Sequence, residues 1–292
     1  MTNLVKFSIT LSLVFLIDSV HADREAFEST YAPLAPEKII IQNASVYDGD
    51  GGELLETDIL VDDGKIIAIG KDLPFSNEFR VIDATGKWVT PGIIDIHSHM
   101  GVYPAPGVRT SSDGNEATSP VTADVWAEHS IWVQDPQYAL ALAGGVTAFH
   151  ILPGSANLIG GRGVTVKNLQ RVTINSMKFP DAPHSLKMAC GENPKRVYGN
   201  RGQAPSTRMG NAAGYRKSWI QAEGYLRRLN EYEEKSDEAK ELEYAPTRDL
   251  EMETLAGVLK GEILVHNHCY RADEMATMID ICLLYTSPSP RD

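Results

Sequence analysis

The sequence predicts an α/β chain in which a segment of short strands over residues 37–90 precedes a parallel sheet built from alternating strands and helices. Three observations carry this expectation. Short β-branched runs separated by turn residues fill the first stretch, the pattern of a small β-sandwich segment. From Pro91 onward, strand patterns alternate with helical ones, as a parallel sheet requires. Between them, the apolar run from Val89 ends in His97-Ser98-His99, a strand presenting two imidazoles on one face.

In chain order, Lys6, the apolar Phe7–Ile17 run and Val20-His21-Ala22 read as a secretory signal over residues 1–22. The apolar run falls well short of the about 20 residues a membrane span needs. A secreted or periplasmic protein with no stable membrane association after cleavage is expected. A Pro-rich leader (23–36) follows, then strands at Ile39–Ile41, Ile59–Val61, Lys65–Ile69, Val81–Ile82 and Trp88–Val89. Asp63-Gly64 suits a type I′ hairpin turn, whose two central residues need positive φ.

Pro91 and Gly92 start the His-x-His strand. Asp135-Pro136 reads as a helix start, Gln137 to Ala143 as the helix, Gly144-Gly145 as its stop and Val146–Ile151 as the next strand. Gly160-Gly161-Arg162-Gly163 lacks the Gly-Lys-Ser/Thr ending of a phosphate loop and is read as a βα loop at the mouth of a site. A strand at 186–190, a long helical region over 212–243, a helix over 250–260 and a strand at 263–266 follow. Met275, Met278, Ile279 and Cys282 recur at helical spacing. Residues 283–292, with two prolines and three serines or threonines, read as an artefactual tail, so the second domain is set at 91–282.

The 292 residues carry a formal charge of −12 with no basic cluster, which argues against nucleic acid as a partner. Cys190, Cys269 and Cys282 show no Cys-x-x-Cys spacing, so no disulfide framework is indicated, and Cys190 and Cys269 are expected to be buried thiols.

The chemistry lies in the histidines. Asp95, His97 and His99 share a strand face, and Val265-His266-Asn267-His268-Cys269 offers a second apolar strand ending in imidazoles. A zinc ion takes neutral imidazole nitrogen or anionic oxygen at about 2.0 to 2.2 Å. Pro91–His99, Gly145-Val146-Thr147 with Leu152-Pro153-Gly154, Leu186–Lys195 and His266–Glu274 resemble the amidohydrolase superfamily, specifically its imidazolonepropionase-like and prolidase-like members.

The resemblance spans residues 37–282. It implies a distorted TIM barrel with one or two divalent ions, most simply Zn2+, at the strand ends, hydrolysing C–N bonds of small molecules. It puts His97 and His99 on the first ion and His266 on the second, with His268 in the pocket or structural. A bridging ligand is expected from Glu192, the preferred candidate, or from Lys187 if carboxylated, since an ammonium has no lone pair. His150 is read as a hydrogen-bonded core residue, and Arg271 as pairing with charge at a helix start.

Family members also use a histidine of the sixth strand and a general-base aspartate of the eighth, positions absent from these residues. About five of the eight barrel strands can be counted, so the chain is expected to be an N-terminal fragment, unstable and inactive alone. A homo-oligomer of the full-length protein is possible. The readings weighed against an amide hydrolase are a metal-dependent ring deaminase and a non-catalytic exported binding protein on a degenerate barrel.

Overall fold

The computed structural model describes residues 27–285; the signal reading and the residues after 285 lie outside the described residues. The first strands are β1 (Ile39–Tyr47), β2 (Glu53–Asp62), β3 (Lys65–Gly70), β4 (Arg80–Asp83) and β5 (Trp88–Val89). They form one sheet in the order β3-β2-β1-β4, with β5 also pairing with β1, rather than two facing sheets among the described residues. Asp63 and Gly64 take φ of 48° and 69°, the double left-handed step of the expected hairpin turn. Ala44, Val46, Ile59 and Ala84 make the small core of this sheet.

The second sheet runs β10-β9-β8-β7-β6, with β6 at Ile93–Ser98, β7 at Val146–Ile151, β8 at Ile159–Lys167, β9 at His184–Ala189 and β10 at Ile263–His268. β6 and β7 are parallel, as are β9 and β10, but β8 runs antiparallel to both neighbours. Gly160–Gly163 therefore lies within a strand, correcting the loop expectation. The glycines serve close packing here: a Cβ on Gly163 would collide with Ser185 Oγ and Leu152, and one on Gly161 with the Val125 backbone.

The expected helix α1 occupies Gln137–Ala143, and α2 occupies Glu192–Gly199. The anticipated long helix is divided into α3 (Arg208–Glu233) and α4 (Asp237–Glu241), because the Ser236 side chain caps Ala239 N and starts a new helix. Next come α5 (Leu250–Leu259), capped by Asp249, and α6 (Ala272–Tyr285). Leu283 to Tyr285, read as tail, continue α6.

α3, α5 and α6 cover one face of β9 and β10. Leu186, Met188 and Ile263 pack there against Tyr215, Trp219, Leu255, Met278 and Ile281. Burial of this apolar surface, at about 25 cal/mol per Å², is the main force holding these strands in register. β6 departs from the expected buried strand. Its Ile93, Ile94 and Ile96 are 52%, 61% and 70% exposed, because β6 is an edge strand whose outer face nothing covers among the described residues.

Cys190 and Cys269 are joined in a disulfide, which corrects the expectation of buried free thiols; Cys282 is not part of it. Their strands are parallel neighbours with His268 opposite Ala189, so the two residues that follow stand side by side.

Candidate metal centre

The strand ends bring His97, His99, Lys187, His266 and His268 together. On β9 the alternation is sharp: Leu186 and Met188 enter the helix-covered core, while Ser185 and Lys187 point to the opposite, polar face. Lys187 is only 1% exposed, and its Nζ lies 3.0 Å from His97 Nε2. The parallel register sets His266 directly across from it. His97 and His99 meet edge to face, with ring centres 5.3 Å apart.

Ring orientation is set by second partners. His99 Nδ1 is 2.8 Å from Leu152 O. A carbonyl only accepts, so Nδ1 carries the proton and Nε2 keeps its lone pair toward the cluster. Tyr103 stands edge-on to His99, and Asn115 Nδ2 donates to the Tyr103 hydroxyl. The loop carrying Tyr103 is stapled by Asp135. Its fully buried carboxylate accepts from Gly101 N, Ala105 N, Gln137 N and Gln137 Nε2. Asp95, on the same strand, accepts from the backbone N–H of His97.

His150 is buried, as anticipated for a core residue. Its two ring nitrogens pair with Thr165 Oγ1 at 2.9 Å and Ser185 Oγ at 2.7 Å, and its ring stacks on His266 at 4.5 Å. Both nitrogens are therefore engaged, which leaves His150 as a support beneath His266. Arg271 forms a two-point pair with Asp273, the helix-start fate expected of it.

Glu192, the preferred bridging candidate, stands outside this cluster. β9 ends at Ala189, Gly191 turns the chain with φ of 67°, and Glu192 becomes the first residue of α2. Its side chain is exposed beside Lys195, Arg196, Asn200 and Ser206, away from the histidines. The carboxylate under Gly191 is instead that of Glu274, which is buried and paired with Arg208 Nε at 2.6 Å. In the sequence, the alternation of Leu186 and Met188 with Ser185 and Lys187 was the signal that could have favoured Lys187.

Electrostatics agree with ligand chemistry. Burial, then the Lys187 cation and the neighbouring imidazoles, pull His97 down to about 4. Burial also lowers His99, His266 and His268, and it brings Lys187 down to about 8. The imidazoles are thus neutral near pH 7, with lone pairs available. Among the described residues, no three His, Cys, Asp or Glu side chains stand close enough to hold an ion by themselves. Yet His268 Nε2 is buried without a hydrogen-bond partner, an orphan of the kind a bound cation would satisfy. The donor set fits a divalent ion once Lys187 is an anion rather than an ammonium.

No family model matches the chain. It is 36% identical over 241 residues to amidohydrolase tasK of Hapsidospora irregularis, covering 76% of this chain and 24% of that protein. A dihydroorotase of Lactobacillus helveticus is 45% identical over 74 residues, 25% of this chain and 16% of that protein. The crystal structure of an amidohydrolase from Thermotoga maritima MSB8 superposes with a TM-score of 0.77 at 38% identity, covering 85% of this chain and 62% of that one. The chain thus spans about a quarter of the tasK length and under two thirds of the Thermotoga chain. With the His-x-His strand, the Lys187–His97 contact and the second histidine strand in the same sheet, these similarities identify the chain as a member of the amidohydrolase superfamily.

Proposed function

We propose that this chain belongs to an exported, metal-dependent hydrolase that cleaves amide or cyclic-amide C–N bonds of small molecules on a TIM-barrel scaffold, with Lys187 supplying the bridging ligand as a carbamate. The observation that carries the reading is the buried Lys187 amine 3.0 Å from His97 Nε2 and across from His266. The tasK and dihydroorotase similarities support the bond type, and the leader-like residues 1–22 support export.

His97, His99, His266 and Lys187 would hold the divalent ions, taken as Zn2+, and His268 has a free nitrogen in the same place. When bound, such an ion supplies an acidified water and polarises a carbonyl. The chain's own part is to prepare that site. In the carbamate step, the neutral Lys187 amine attacks CO2; an N–C bond forms, one C=O bond becomes a carboxylate, and one proton leaves to solvent. Burial favours the neutral amine that this step needs. The Leu152 carbonyl fixes His99, and His150, tied to Thr165 and Ser185, backs His266.

The test is metal content after loading the purified protein with Zn2+ and bicarbonate. Lys187→Ala should lose most of the bound metal, and Glu192→Ala should keep it. The opposite result would return the bridging role to Glu192 and remove the carbamate from the proposal.

A further inference from the structure

The sequence contains one Asn-x-Ser/Thr triplet in its 292 residues, Asn43-Ala44-Ser45. It lies on β1 at a break in the pairing on both sides. Toward β2 the register slips between Ile41 and Ala44. On the other edge, pairing with β4 stops at Gln42 and pairing with β5 begins at Ser45. Asn43 thus sits on a bulge with φ of 57°, a left-handed step that asparagine accepts more readily than most residues. The buried Asp58 carboxylate clamps the bulge by accepting from Asn43 N at 3.0 Å and Leu73 N at 3.2 Å. The Asn43 residue itself is exposed. The backbone is held and the carboxamide is presented outward.

We propose that Asn43 is a site of N-linked glycosylation. This goes beyond the hydrolase reading and rests only on its export clause. An Asn-x-Ser triplet on the surface of an exported chain is the acceptor for an oligosaccharide carried on a lipid pyrophosphate. The Asn43 Nδ2 bonds to the anomeric carbon of the sugar, the bond from that carbon to the pyrophosphate oxygen breaks, and the lipid pyrophosphate leaves with the electron pair. One amide proton is released. The Cys190–Cys269 disulfide is the bond type that persists in the same oxidising compartments. Asn43 lies in the first sheet and the clustered histidines in the second, so the glycan shares no strand with the metal ligands.

The experiment is cell-free translation of the full chain with endoplasmic-reticulum microsomes, which supply the lipid-linked donor and its transferase. It reads leader removal, protease protection and an endoglycosidase-sensitive mobility step. The expected result is one step for the wild type, its loss in Asn43→Gln and Ser45→Ala, and its retention in Ser45→Thr. Asn267→Gln, a control in the Asn-x-Cys triplet ending at Cys269, should leave the step unchanged. Transfer precedes folding, so a destabilised variant still reports. A translocated, protease-protected chain without the step, or a step surviving Asn43→Gln, overturns the site alone. A chain left outside the vesicles with its leader intact overturns the export reading and the glycan together.

Discussion

Gly191→Ala tests how the turn after β9 supports the histidine-bearing sheet. Gly191 holds φ of 67° and ψ of −121°, a region that essentially only glycine occupies, at a cost of about 1 to 3 kcal/mol for alanine. A Cβ there would land on the Glu274 carboxylate. Glu274 is 6% exposed and holds Arg208 at 2.6 Å, so displacing it breaks a half-shielded ion pair, worth about another 1 to 2 kcal/mol after screening on the Arg208 side. The total is about 2 to 5 kcal/mol, a large share of the 5 to 15 typical of a folded domain. Gly261→Ala is the control: φ is 77° there, but an added Cβ meets open space, so about 1 kcal/mol is expected. Urea unfolding of both variants measures the difference. Equal losses would show that the Glu274 clash contributes nothing and refute the packing argument.

Other outcomes follow from the same geometry. Asp135→Ala leaves the buried N–H of Gly101 and the half-buried N–H of Gln137 without their acceptor, and should cost about 3 kcal/mol by thermal melting. It should also weaken Zn2+ binding, since the Tyr103 loop follows His99. Thiol titration of the unfolded chain should find one reactive thiol before reduction and three after. With the paired cysteines 79 positions apart in sequence, reduction should cost about 4.5 kcal/mol on the loop-entropy model, seen as a lower urea midpoint. Glu251 is raised to about 7 by burial, then by Asp124 and Asp249. Between about pH 4.5 and 7 the folded chain therefore binds a proton that the unfolded chain has lost, and stability falls as pH rises through that window. Glu251→Gln should flatten that part of the stability–pH curve, and an unchanged slope would remove Glu251 as its source.

Much of the site was legible where one strand carries its own meaning. His97 and His99 are two residues apart and share a face whatever surrounds them, and His266 with His268 repeats the device. The strands at 39, 59, 65, 81 and 88, the Asp63-Gly64 turn and the helix over Gln137–Ala143 follow from local propensity and turn stereochemistry, which need no distant partner. The Gly160–Gly163 stretch departs from the loop expectation because glycine signals a loop locally, whereas here it clears space for Ser185 and Val125 from elsewhere in the chain.

The amino-acid order by itself determined which residue types carry the chemistry and which faces of their strands they share, because side-chain alternation is a property of a single extended segment. The tertiary structure decided the partners. Lys187 rather than Glu192 reaches the histidines because the parallel register of β9 and β10 sets it across from His266, while the Gly191 turn carries Glu192 onto the exposed start of α2. The same register set Cys190 beside Cys269 and made a disulfide of two apparently unrelated thiols. Register and crossover direction come from the packing of α3, α5 and α6 against the sheet, a sum over many distant contacts that no short stretch of sequence displays.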